Sequence, residues 1–256
     1  MSGLSGNEMY CLNLKGLAPG DLVLGNSVYS MGFVGGLSAG LRSMVGGEVT
    51  KITEVIHEGR LQAIERMSKE AEEAGGYGIS GVSSELKSFR GNIEFISVGT
   101  CVKRADGQAS KLKFSTSGDG QELYCQLDAG FTPVKFAFGN VAYSIGIGGG
   151  IVGGLKSLGR GEIKEYSNVL NKTRHLAIER LEDEARQVKA NAVIGIETTV
   201  MPFQGVHEMM MTGTAAKHPS LAEFADDPVT SDLTCEEMWN LVNIGFMPLK
   251  LVMGTA

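Results

Sequence analysis

The chain is poor in the residues that build catalytic and metal centres. Four histidines, four cysteines and one tryptophan are spread over 256 residues, and no two cysteines take the C-x-x-C spacing of a zinc or redox motif. Lysine and arginine are scattered, and the net charge is −6 with a pI near 5.3. A phosphate-backbone partner needs a concentrated basic face, so nucleic acid is excluded as a partner class. Residues 1–8 lack the basic and apolar blocks of a secretory signal, which gives the expectation of a cytoplasmic chain with reduced thiols. No nucleophile–base pair, duplicated histidine or duplicated pair of close carboxylates emerges, so the sequence reads as non-enzymatic.

Glycine, by contrast, is abundant, with 36 residues, and 43% of the chain is apolar, enough for a packed core. The glycines expose an internal repeat. Gly25-Asn26 recurs as Gly139-Asn140, an offset of 114 residues, and the same offset carries Tyr10-Cys11 to Tyr124-Cys125, Pro19 to Pro133 and Tyr29-Ser30 to Tyr143-Ser144. It also carries Arg60 to Arg174, Ala63-Ile64-Glu65-Arg66 to Ala177-Ile178-Glu179-Arg180, and Gly99-Thr100 to Gly213-Thr214. Near the end, Gly245-Phe246-Met247-Pro248 answers Gly130-Phe131-Thr132-Pro133. The expected organisation is therefore module 1 over residues 1–104, a linker over 105–123, module 2 over 124–218, an acidic linker over 219–238 and a partial third repeat over 239–256.

Within a copy, residues 10–14 and 22–24 read as short extended segments bounded by Gly or Pro. In the next stretch, Ile52, Val55, Ile56, Ala63, Met67, Ala71 and Ala74 share one helical face, as Tyr166, Val169, Leu170, Ala177, Leu181, Ala185 and Val188 do in the second copy. Two strands follow, at 78–84 and 93–103. The fold class is thus α+β: two tandem β-α-β-β modules, each a small sheet covered by one long helix, with an additional C-terminal strand. One helix covers one sheet face. The other face and the strand edges need neighbours, and the partner predicted first is another copy of the chain, in a homo-oligomer.

Several strings resemble those of the YbjQ-like family, whose members carry a heavy-metal-binding label. They are Gly40-Leu41-Arg42 with Val45-Gly46-Gly47, Arg60 and Ala63 on the helix, Gly76-Tyr77-Gly78 leading to Gly81, and Gly99-Thr100. In the second copy they are Gly154-Leu155-Lys156, Arg174, Ala177, Ala190-Asn191-Ala192-Val193-Ile194-Gly195 and Gly213-Thr214-Ala215-Ala216. The resemblance implies a dodecin-like module that assembles into rings, and its label implies a soft transition metal as cofactor.

A soft-metal site needs thiolates, thioethers or imidazoles at ligand distance. Cys11 and Cys125 are the thiols present in both copies; they are either ligands brought together by ring symmetry or small buried residues. His207, Met209 and Met211 alternate along a predicted strand and share a face. They suit Cu(I), but their counterparts Ile93 and Phe95 suit a core. Arg60 and Arg174, with nearby helical carboxylates such as Glu70 four residues from Arg66, form either a solvated face or a rim between subunits. The glycine runs 32–40 and 146–154 either cradle a phosphate or allow close backbone approach.

A reading of another class is a membrane-associated assembly. Residues 22–41 and 136–155 each run about twenty residues without a charge, the span of a bilayer helix. The last expectation concerns residues 239–253, including Trp239 and Phe246: a copied first strand should add to a module edge in a neighbouring chain.

Overall fold

In the computed structural model, residues 3–30, 47–89, 92–108, 111–144, 164–203 and 206–254 are described; the glycine runs 32–40 and 146–154 lie outside them. Each copy builds a sheet around a long helix. In module 1, strands β1 (Leu17–Ser30), β3 (Gly78–Phe89) and β4 (Asn92–Arg104) lie in the order β1-β4-β3 with all pairs antiparallel, and β5 (Phe114–Ser115) joins β3 in parallel. Module 2 repeats this with β6 (Thr132–Ser144), β7 (Ala192–Phe203), β8 (Val206–Lys217) and the short parallel strand β9 (Val229–Thr230). The remaining short strand, β2 (Gly47–Glu48), leaves its own copy and pairs with the outer edge of β6.

The helices α2 (Thr50–Glu73) and α4 (Lys164–Gln187) lie on their own sheets. Ile52, Ile56, Ala63, Met67 and Ala71 are buried along α2, as the apolar periodicity predicts, and Ala177, Leu181 and Ala185 are buried along α4. The repeated Gly-Asn string is explained at this contact. A Cβ on Gly25 would lie 2.0 Å from the Ala63 carbonyl oxygen, and one on Gly139 would lie 2.0 Å from that of Ala177. The helix backbone rests directly on the strand, so only glycine fits. A second duplicated glycine bends the sheet edge: Gly81 (φ +62°) and Gly195 (φ +63°) sit where the β3–β4 and β7–β8 registers shift, the left-handed conformation of a β-bulge.

Three short helices were not expected. Residues 10–14 belong to α1 (Gly6–Leu14), their counterparts belong to α3 (Gly120–Asp128), and a third helix, α5 (Cys235–Asn243), opens the partial repeat. Each begins with a reciprocal capping box, Ser5 with Glu8, Asp119 with Glu122, and Thr234 with Glu237. Two otherwise orphaned backbone N–H groups are thereby satisfied at every start. The stretch 105–123 carries β5 and the first turn of α3. Trp239 is helical, and residues 246–254 pair with no strand among the described residues. The charge-free runs 22–41 and 136–155 begin with the last nine residues of β1 and β6, hydrogen-bonded to β4 and β8, so neither is a single membrane helix. No helix among the described residues is long and apolar enough to cross a bilayer.

Gly139→Ala should overpack the α4–β6 contact and destabilise the chain by about 1–3 kcal/mol. Urea unfolding at fixed protein concentration would read this as a lower midpoint; an unchanged midpoint would show that helix and strand can part at no cost.

Candidate functional site

The outer face of the module 2 sheet, opposite α4, is covered by module 1. On β8 successive side chains alternate between faces. Met209 and Met211 point into the core beneath α4, while Glu208, Met210 and Thr214 are buried on the other side. The apolar part of this cover joins Phe136 and Phe138 of β6 to Ile64 and Val82 of module 1, and Ala142, Phe203 and Val206 to Ile52 and Ile56.

At the centre of this contact Arg60 meets Glu208. Arg60 Nε donates to Glu208 Oε1 at 3.0 Å and Nη2 donates to Oε2 at 2.8 Å, while Nη1 donates to the Ser84 carbonyl at 2.9 Å and to its hydroxyl at 3.0 Å. The two side chains are 0% and 1% exposed. A charge removed from water is tolerated only when fully paired, and the planar guanidinium achieves this by bidentate contact with the carboxylate. Its net contribution to stability is small, because desolvation of both ions offsets their attraction; what it confers is a fixed relative placement of helix and sheet.

Further hydrogen bonds extend the contact. Buried Asn140 donates from Nδ2 to the Thr53 carbonyl at 3.2 Å, and its Oδ1 lies 3.2 Å from His57 Nδ1. The Ala142 N–H donates to Thr53 Oγ1 at 2.9 Å, and the Val49 N–H to the Ala142 carbonyl at 2.7 Å. Arg180 donates to Glu48 of β2 at 2.8 Å and to the Asn140 carbonyl at 2.7 Å. Arg60 is therefore neither solvated nor on a rim: it is at the buried centre of a contact between modules. Arg66 and Glu70, expected as a helical ion pair, instead hold β1: Arg66 donates to the Asn26 carbonyl at 2.5 Å, and Glu70 accepts from the Leu24 N–H at 2.6 Å.

Arg174, the counterpart of Arg60, is half-buried and lines an open cleft with Thr198, Ile196, Leu251 and Met253. Among the described residues no carboxylate lies within ion-pair reach of it. Cys11 and Cys125 sit on the neighbouring helices α1 and α3, and Cys235 begins α5 close to Cys125. Burial pushes the Cys125 thiol up to about 11 and that of Cys235 to about 12, with nearby Glu236 acting in the same direction. His207 is half-buried and stacks on Tyr143 at 5.6 Å, separate from the cysteines. Trp239 donates to Asp128 at 2.8 Å, and Phe246 is exposed. Among the described residues, no group of three or more His, Cys, Asp and Glu side chains gathers at metal-holding distance. A cavity of about 360 Å³ between the modules is lined by Ser84, Glu122, Glu197, Asp232 and Cys235, and burial raises the Glu122 carboxyl above its usual range.

Two predictions follow from this geometry. Glu208→Gln leaves a buried guanidinium uncompensated and should cost about 3–5 kcal/mol in chemical unfolding, whereas Arg60→Met combined with Glu208→Leu should lie much closer to the parent. Equal losses for both variants would contradict the account of the pair. At pH 8, alkylation of the native chain should reach half-buried Cys11 first and Cys125 and Cys235 slowly, because the thiolate is the reacting form; peptide mapping that found Cys235 modified first would contradict this.

Comparison with known proteins bears on both halves of the contact. A family model described as "Putative heavy-metal-binding", that of the YbjQ family, matches residues 18–105 and again residues 132–218. The chain is 32% identical over 238 residues to the encapsulin nanocompartment protein Rv1762c of Mycobacterium tuberculosis, with 87% of each chain covered. It is 49% identical over 79 residues to the UPF0145 protein TV0671 of Thermoplasma volcanium, covering 30% of this chain and 65% of that one. It is also 45% identical over 80 residues to a UPF0145 protein of Psychromonas ingrahamii, covering 31% and 76%. The two matches to one family model coincide with the two sheets that the Arg60–Glu208 contact joins, and the chain belongs to the YbjQ family as a tandem of two of its modules.

Proposed function

We propose that the protein is a non-enzymatic scaffold that assembles with copies of itself. The observation that carries this reading is the difference between two equivalent sheet faces. On module 2, Phe136, Phe138 and Ala142 are at most 1% exposed beneath module 1. Their counterparts on module 1, Leu22, Leu24 and Val28, are 52%, 48% and 53% exposed. A row of large apolar side chains on a sheet face marks an interaction surface, and the same face is already used for module-to-module contact within the chain. The two-module relative whose name describes an encapsulin nanocompartment supports self-assembly. The metal named in the family description has less support, since Met209 and Met211 are spent on the core.

Light scattering coupled to size exclusion should give a mass that is a multiple of 27.1 kDa, reduced by Leu22→Asp with Leu24→Asp. A monodisperse 27.1 kDa species at every concentration would refute the reading.

A further inference from the structure

The joint between the two modules of one chain is a template for a joint between chains. Its helix side has counterparts on module 2, where Arg174 stands for Arg60 and Thr198 for Ser84. Its sheet side has counterparts on module 1, where Leu22, Leu24 and Glu94 stand for Phe136, Phe138 and Glu208. Glu94 is half-buried on β4 and accepts a hydrogen bond from Asn26 at 2.9 Å, a neutral partner that can be exchanged for a cation.

The helix side of module 2 already has a partial occupant. With an offset of 115 residues, the third-copy segment follows the start of module 2: α5 follows α3, and Leu251 and Met253 follow Phe136 and Phe138. The hydrogen bonds follow too. The Phe136 N–H donates to Ser115 Oγ at 2.9 Å, and the Leu251 N–H donates to Thr230 Oγ1 at 2.9 Å. The Val82 N–H reaches the Thr116 carbonyl at 2.9 Å, and the Ile196 N–H reaches that of Ser231 at 3.0 Å. Leu251 and Met253 pack, half-buried, against the module 2 core, and Lys250 fixes the segment to Asp227 at 3.0 Å. The segment thus imitates the leading edge of another module, but among the described residues it brings no carboxylate to Arg174.

We propose that residues 234–254 cap module 2, and that assembly exchanges this cap for module 1 of a second copy of the chain, with Glu94 placed on Arg174 as Glu208 is placed on Arg60. The contact is head to tail. Each chain offers one sheet side and one helix side, so chains add in one direction and close into a ring or extend. The exchange replaces a segment without strand pairing by a paired sheet and a bidentate ion pair. The proposal rests on the self-assembly reading above and names its partner surface.

Sedimentation velocity over a concentration series of full-length chains tests it. Loosening the cap by Leu251→Ser with Met253→Ser should lower the concentration at which chains join at least tenfold. Glu94→Arg alone and Arg174→Glu alone should each raise that concentration at least tenfold, by setting like charges together. An equimolar mixture of these two variants should join as the parent does, since every alternating junction again pairs Arg with Glu. Circular dichroism of each variant identifies any that fails to fold, and the mixture then decides the matter, because restoration requires both partners folded. Assembly of the parent with no response to cap, charge or mixing would overturn this proposal and leave the scaffold reading standing. A monomer in every variant at every concentration would overturn both.

Discussion

A guanidinium with no exposed surface has to find its counter-charge at a fixed place, and the Arg60–Glu208 pair imposes that condition on the whole chain. The helix of one copy and the sheet of the other can meet in one register, because a slip of one residue along β8 would present the opposite face and leave both ions buried and unpaired. The other polar contacts of the joint, Asn140 with His57 and Thr53 and Glu48 with Arg180, lie in the same register. Apolar packing by Phe136 and Phe138 supplies area without direction; the ion pair supplies direction.

That joint also explains why the two copies differ where they do. Positions facing the module's own helix keep their character, as with Gly25 and Gly139 or Tyr29 and Tyr143. Several apolar positions on the outer face change size: Leu22 and Leu24 become Phe136 and Phe138, and Val28 becomes Ala142. The aromatic Phe136 and Phe138 fill the covered face, and the aliphatic Leu22 and Leu24 remain on the open face.

The modules and their long helices were legible in the sequence because self-similarity and a 3.6-residue apolar stripe are both local patterns. The stripe residues Ile52, Ile56, Ala63 and Met67 are the core of α2. Two things were not legible. The short helices α1, α3 and α5 are nine residues each, too few turns for an apolar period to separate helix from strand, although Ser5 with Glu8, Asp119 with Glu122 and Thr234 with Glu237 give the capping-box signature three times. The ion pair was missed because its members are 148 positions apart, in different copies, and one lone Arg on an amphipathic helix looks the same whether it faces water or a carboxylate. The signal that could have found it was the equivalence itself: Glu208 and Glu94 occupy one strand position in both copies, on the face opposite the helix.

The unequal use of two equivalent sheet faces gives the proposed assembly two kinds of joint. When every joint in an assembly is made by the same residues, a substitution alters all joints together. In a tandem chain half the joints are internal, held by covalent linkage at high effective concentration, and are free to become permanent. The joints proposed between chains would then be left to vary in strength independently, so that how readily subunits come and go would be decoupled from how firmly each subunit holds together.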